Sequence, residues 1–391
     1  MARKGRVTVG TQDACVYPLW LSRVNIRLAR LMGATAVWMP DHFMGFTPAE
    51  VWRPEITPAS RVVPSIDALF DPLQMLAVTA KRVRGIDLGT SVTESIRRHP
   101  MSLAQSFVTL DHLSKGRAIL GIGNGIRENT EPYGLPYVHN VERLEEALTI
   151  IRLLWGSGGK PVSYEGRFWT LREAVFGLPL YQGKPPRLFV AAHFPRMLRL
   201  AGRFADGWLP GQKVSGDEYG KRLAVIRRAA ESAGRSLERF TATQTMLVAL
   251  GDSREHVIER AMQSRFCATM ALGAPAQVWR AHGLTHPLGD THGGFLDLVP
   301  SRVSTAQVDR AAATMTPEIL LTLMYAGSAR QIANEVAPLV DAGCTHFIIA
   351  NAGASFTGEG AKGLWRLADL MRRLRRLLPF SDRSSSLHSH Q

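Results

Sequence analysis

The chain has 391 residues, 45% of them apolar and 20% charged, with a formal charge of +14. That apolar share excludes a disordered chain, and 35 glycines with 22 prolines suit a loop-rich enzyme rather than a collagen-like one. Three cysteines far apart in sequence, Cys15, Cys267 and Cys344, exclude a disulfide framework and point to reduced thiols in a cytoplasmic protein.

No apolar run reaches the ~18 residues that cross a bilayer. The basic start, Met1 to Val7, lacks the apolar stretch of a secretory signal. In chain order, residues 7–10 read as a first strand. Ser22 is a candidate N-cap for a helix carrying Val24, Leu28 and Leu31 up to Gly33. Residues 36–39 form a second buried strand that ends at Pro40-Asp41-His42-Phe43. Residues 44–75 are loop-like, with five prolines. A third strand spans 86–93, a helix 100–113, and a fourth strand 118–122, which opens into Gly123-Asn124-Gly125. Val141, Leu144, Leu148, Ile151 and Trp155 repeat at helical spacing, with Asn140 as a candidate cap and Glu142, Glu145 and Glu146 near the positive N-terminal end.

Further strands read at 188–192, 206–209, 245–250 and 346–350, and residues 264–320 break the rhythm as a second insertion. The last helix carries Leu364, Leu367, Met371, Leu374 and Leu378. The polar end, 381–391, reads as a disordered tail after one domain over 1–380. Eight short apolar strands separated by helices predict the α/β class and a TIM (β/α)8 barrel with insertions, whose site residues follow the strands.

Phosphate-loop, zinc-protease and nucleophile-elbow motifs are absent. Gly121-Ile-Gly-Asn-Gly125 is a poor dinucleotide fingerprint. Its bare backbone suits either a phosphate or flat ring, or simply a tight turn. Asp41-His42 stands at the expected barrel mouth. His42 suits proton transfer, with Asp41 to anchor a ligand or orient the imidazole; a helix cap with a surface histidine is the plainer alternative. His193 ends a strand just before Pro195, which is placed to start a helix with Arg196. His282, His286 and His292 share no helix face and carry no metal reading. Arg372, Arg373, Arg375 and Arg376 form a basic stripe, either solvated or in weak contact with a lipid surface. Nothing reads as a nucleic-acid motif.

Four stretches in order carry a resemblance: Pro40-Asp41-His42-Phe43, Leu88-Gly-Thr-Ser-Val-Thr93, Gly116 to Gly125, and Ala191 to Gly207. Together they resemble the bacterial luciferase-like superfamily, in its branch that uses the deazaflavin F420. Val63 to Ala68, Gly125 to Gly134 and Ala192 to Arg199 are similar to mycobacterial ketoreductases of phthiodiolone-type cell-wall lipids. The resemblance implies a homodimer and a non-proline cis peptide near Ser91-Val92 that backs the cofactor ring.

It also implies a small-molecule or lipid ketone as substrate, with F420 as cofactor and FMN, in a monooxygenase, as the alternative. It assigns Asp41, Thr93, Asn124, Gly125, Asn129, His193, Phe194 and Arg196 to the cofactor. His42 becomes the proton donor. Met44 and Ile126 stand where related F420 dehydrogenases carry Trp and Glu, so Asp13 or Glu128 is the candidate to stand in for that Glu. Arg97, Arg98 and Arg127 are candidates for an anionic cofactor tail. Trp52, Phe70, Met75, Trp279, Phe295 and Leu298 supply apolar surface, either to an acyl-chain pocket or to the core.

Overall fold

The computed structural model describes residues 7–378, so the polar tail lies outside the described residues. Eight parallel strands form the centre: β1 (Thr8–Gln12), β2 (Ala36–Met39), β3 (Asp87–Thr90), β4 (Ala118–Gly123), β5 (Arg187–Val190), β6 (Gly207–Trp208), β7 (Thr241–Leu250) and β8 (His346–Asn351). Each pairs with the next, and β8 pairs back onto β1, which closes the barrel. Every strand falls on an apolar run expected from the sequence. Strands buried on both faces need apolar residues at consecutive positions, as in β2, where all four residues are buried.

A helix covers each strand: α1 (Leu19–Leu31), α2 (Pro72–Arg82), α3 (Pro100–Ser114), α4 (Asn140–Gly156), α5 (Pro195–Phe204), α6 (Gly216–Ser232), α7 (Ala329–Asp341) and α8 (Gly360–Leu374). The α4 stripe packs inward as its spacing predicts, with Leu144, Leu148, Ile151 and Trp155 buried.

Local boundaries differ from the sequence reading for identifiable reasons. Ser22 lies inside α1 because its hydroxyl donates to Asp13 Oδ1 at 2.7 Å instead of capping the helix; Pro18 precedes the helix. Asn140 is the first residue of α4, after His139 at φ 54°. The first insertion ends early, where Asp71 Oδ1 accepts from Leu73 and Gln74 N–H and starts α2. An antiparallel hairpin, Val162–Glu165 with Thr170–Ala174, stands between α4 and β5; its half-exposed residues gave no apolar signal.

Inside the barrel, Trp38 and Phe189 fill the lumen with ring centroids 5.7 Å apart. Neighbouring strands make room for them. A Cβ on Gly89 would lie 2.6 Å from the Trp38 ring, and one on Gly207 2.6 Å from the Phe189 ring. Trp38 Nε1 donates to His346 Nε2 at 3.2 Å, so the proton of that neutral imidazole sits on Nδ1, beside Thr8 Oγ1 at 2.8 Å.

The two insertions share a second apolar core. Val51, Trp52 and Val63 from the first pack with Phe266, Leu272, Trp279, Leu298 and Ile319 from the second. Trp52, Trp279 and Leu298 are thus buried core residues, as is Met75 in the main core, and none of the four is left to line an acyl pocket. Phe70 and Phe295 stay partly buried.

Candidate active site

Because all eight strands run parallel, their C-terminal ends meet at one rim. Asp41-His42 follows β2, Asn124-Gly125 follows β4 and His193 follows β5. Between β3 and the fourth strand the ladder is interrupted by a cis peptide at Ser91-Val92, the position implied by the resemblance. Thr90 Oγ1 fills the gap in the ladder, donating to Gly121 O at 2.7 Å and accepting from Gly121 N–H at 3.1 Å.

Asp41 is buried in a cluster of opposite charge. Its Oδ2 accepts from Thr93 Oγ1 at 2.6 Å and from Arg98 Nε at 2.7 Å. Its Oδ1 takes Arg98 Nη2 at 3.1 Å and Arg97 Nη2 at 3.3 Å. Burial pushes this carboxyl upward, but the Arg98 hydrogen bonds, the two guanidinium charges and Thr93 outweigh it and hold the pKa below the ordinary value. Arg98 also binds Asp71 at 2.7 Å, and Arg97 binds Glu94 and lies 4.6 Å over the Phe43 ring. Asp41 therefore does not orient the imidazole beside it, and Arg97 and Arg98 are neutralised within the fold. Arg127 is likewise paired, with Glu131 and with Asp297 at 2.8 Å.

The imidazole partner is Glu128. Its Oε2 lies 3.2 Å from His42 Nδ1, and it is wholly buried while His42 keeps about a fifth of its side chain open (19%). Glu128 Oε1 is buried with no hydrogen-bond partner. Asn129 fixes the loop around this pair: Phe43 N–H donates to its Oδ1 at 3.0 Å, and its Nδ2 donates to Asp41 O at 2.8 Å. That amide leaves Nδ2 3.3 Å from His42 Nδ1. Glu128 Oε2 is thus placed to accept a proton from Nδ1, which leaves Nε2 as the ring nitrogen without a partner among the described residues. Behind the ring, Phe46 meets His42 edge-on at 5.1 Å and Phe295 meets Phe46 in the same way at 5.1 Å. This aromatic ladder, which joins both insertions to the site, was not read from the sequence.

Asp13 stands apart from this pair. Its Oδ1 accepts from Ser22 Oγ at 2.7 Å and from Cys15 N–H at 3.0 Å, and burial raises its pKa against those bonds. Of the cofactor candidates, Thr93 and Asn129 are held by internal bonds, whereas the Asn124 side chain makes none among the described residues. Gly125 has φ 78° and its carbonyl accepts from Tyr137 Oη at 3.0 Å. His193 Nδ1 is buried without a partner, and burial, with the Arg222 charge behind it, lowers that imidazole to about 4. Phe194 is exposed and precedes α5, with Pro195 in its first turn as expected. Arg196 lies across α4, 3.4 Å from Glu142 and 3.7 Å from Glu145. The His286 and His292 rings lie tilted against each other with centroids 4.6 Å apart, and no metal-holding group of side chains occurs among the described residues.

The luciferase-like monooxygenase family model matches residues 25–346. The chain belongs to the luciferase-like monooxygenase family. Like its relatives in this family, it is an oxidoreductase built on a closed parallel barrel. The phthiodiolone/phenolphthiodiolone dimycocerosates ketoreductase of Mycobacterium kansasii is 38% identical over 336 residues, covering 85% of this chain and 91% of that protein. The F420-dependent glucose-6-phosphate dehydrogenase of Nakamurella multipartita is 35% identical over 207 residues, 51% of this chain and 58% of that protein. An F420-dependent secondary alcohol dehydrogenase, solved with an F420-acetone adduct, has the same fold at a TM-score of 0.72 and 18% identity, covering 94% of this chain and 99% of that one. No helix among the described residues is long and apolar enough to cross a membrane.

Proposed function

We propose that this protein is an F420-dependent ketoreductase that reduces the keto group of a long-chain lipid of the phthiodiolone/phenolphthiodiolone dimycocerosate type. One observation carries the reading: an imidazole at the barrel mouth, clasped by a buried carboxylate, with an apolar platform beside it. A Cβ on Gly123 would come within 3.0 Å of Val92 and 3.5 Å of Ala191, so three small groups form a shallow apolar floor above the lumen. Polar atoms left without partners, His193 Nδ1 and Glu128 Oε1, lie at the same rim. A flat ring with polar edges fits this donor set. Asn124, Gly125, His193 and Phe194 would hold it, while Asp41, Thr93 and Asn129 keep the His42 loop in place; Arg196 would reach its anionic end only by leaving Glu142 and Glu145.

Bound there, reduced F420 would supply a hydride for a carbonyl carbon. The chain's own part is the proton. Reduction puts negative charge on the carbonyl oxygen, and His42 Nε2–H donates to that oxygen as the charge grows. Glu128 holds the ring in place through Nδ1. Phe46 and Phe295 keep water from one side of the ring. Ketone, hydride and proton together account for a secondary alcohol.

The test is a fluorescence titration of F420 against FMN, followed by anaerobic turnover of reduced F420 with a phthiodiolone-type ketone. F420 binding, with ketone-dependent oxidation that is lost by about 100-fold or more in His42→Ala while F420 still binds, is the expected result. Preferential FMN binding with oxygen consumption would overturn the reading in favour of a monooxygenase.

A further inference from the structure

Three of the four arginines in the stripe at the end of α8 have partners in the fold. Arg373 Nε meets Asp369 at 2.8 Å, Arg372 meets it at 3.4 Å, and Arg375 donates to Gly33 O at 2.8 Å. The unpaired basic face lies instead on the neighbouring α1. Arg23, Arg27 and Arg30 are exposed and make no ion pair among the described residues, and α1 contains no acidic residue. Their spacing of four and three places them in one row, where like charges repel and lower helix stability unless an anionic partner is near. Beside that row, Trp20 is 53% exposed, Val24 41% and Leu31 82%. These apolar side chains also share a face, and the opposite face, with Ser22, Ile26 and Ala29, is the one buried against the barrel.

A solvent-facing row of arginine beside a row of tryptophan, valine and leucine satisfies water poorly and a charged bilayer surface well. The guanidinium groups reach phosphates, and the indole with its aliphatic neighbours sits at headgroup depth. Duplex nucleic acid would match the charge but offer nothing to Leu31 and Val24. A second protein surface would match the apolar row but leave three arginines facing one another's copies across a two-fold axis.

We propose that α1 is an interfacial helix that docks this protein on an anionic phospholipid surface through Trp20, Val24 and Leu31 and through Arg23, Arg27 and Arg30. The proposal stands on α1 alone and does not need the ketoreductase reading. A chain that docks on vesicles but fails to reduce ketones would keep one and lose the other.

The test is co-sedimentation of the full chain with mixed phosphatidylglycerol–phosphatidylcholine vesicles and with phosphatidylcholine vesicles alone. Binding to the anionic vesicles only, weakened by salt, is expected. The triple variant Arg23→Gln, Arg27→Gln, Arg30→Gln should lose on the order of 100-fold in vesicle affinity. The double variant Trp20→Ser, Leu31→Ser should weaken binding in a way that salt does not mimic. Both change exposed side chains, and an unaltered thermal transition confirms that each still folds. No vesicle binding, or equal binding to neutral vesicles, overturns the proposal. So does retention of DNA with the same loss in the arginine variant, or a dimer in solution that Trp20→Ser, Leu31→Ser splits into monomers.

Discussion

Glu128 reaches His42 from 86 positions away in the chain, at 3.2 Å through one oxygen, with the other oxygen buried and unpaired. A neutral amide there can still accept from Nδ1–H, but through a weaker hydrogen bond than a carboxylate makes. Glu128→Gln should therefore lower kcat for ketone reduction by roughly 10- to 100-fold, with little change in F420 affinity. An unchanged kcat would show that Glu128 only packs. Asp41→Asn tests a different role. It removes one carboxylate from Arg97 and Arg98 while Glu94 and Asp71 remain, and losing these charged hydrogen bonds costs about 1.5–3 kcal/mol, read as a lower urea midpoint. At this scale the sequence pointed to His42 through its place after a buried strand, and it named Glu128 only as a stand-in. The partnership itself depends on how the loop after β4 folds back over the mouth, which no local pattern encodes. The alternative stand-in, Asp13, lies beyond β1 and engages Ser22 in α1; a hydroxyl at a helical position reads as a cap until the carboxylate that recruits it is seen.

The strands were the most legible elements, because burial on both faces demands runs such as Ala36-Val-Trp-Met39 that no helix or loop would need. Less legible was how they fit together. Trp38 is the largest side chain of β2 and points into a lumen that neighbouring strands keep open by having glycine at the contact, as Gly89 does. Gly89→Ala would place a methyl group 2.6 Å from the indole, against a ring fixed by its hydrogen bond to His346. Overpacking of this kind costs about 1–3 kcal/mol, so the variant should melt several degrees lower while its F420 affinity falls little. A melting temperature equal to that of the parent chain would mean that the lumen has slack which the close contact does not suggest. The hairpin at Val162–Glu165 and Thr170–Ala174 escaped the sequence reading for the opposite reason: it packs through single apolar residues, Val162, Tyr164 and Leu171, set between exposed ones, and needs no apolar run.

At the scale of the whole molecule, two insertions distant in sequence build one additional core, and that core takes most of the aromatic residues that could otherwise have been offered to a substrate. Their positions follow no single period, so only the folded chain shows that Trp52 and Trp279 belong together. The same close packing sets how the protein responds to acid. Burial, the largest cause in each case, lowers His193, His286 and His346 to about 4, with Arg222 adding at the first and His292 at the second. The folded chain keeps these imidazoles neutral, whereas in the unfolded chain they titrate near 6.5. Between those values the unfolded state binds more protons, so their contribution to stability is complete above about pH 6.5 and is lost as pH falls toward 4. Asp13 and Asp111, both raised by burial, oppose the trend. For His346, hydrogen-bonded on both nitrogens deep in the barrel, the loss at about pH 5 is on the order of 2 kcal/mol. The urea midpoint should therefore drop between about pH 7 and pH 5, and the drop should be shallower in His346→Gln even though that variant starts out less stable. A midpoint that stays flat over this range, or an equal slope in the variant, would mean that the His346 ring takes up its proton without leaving the barrel.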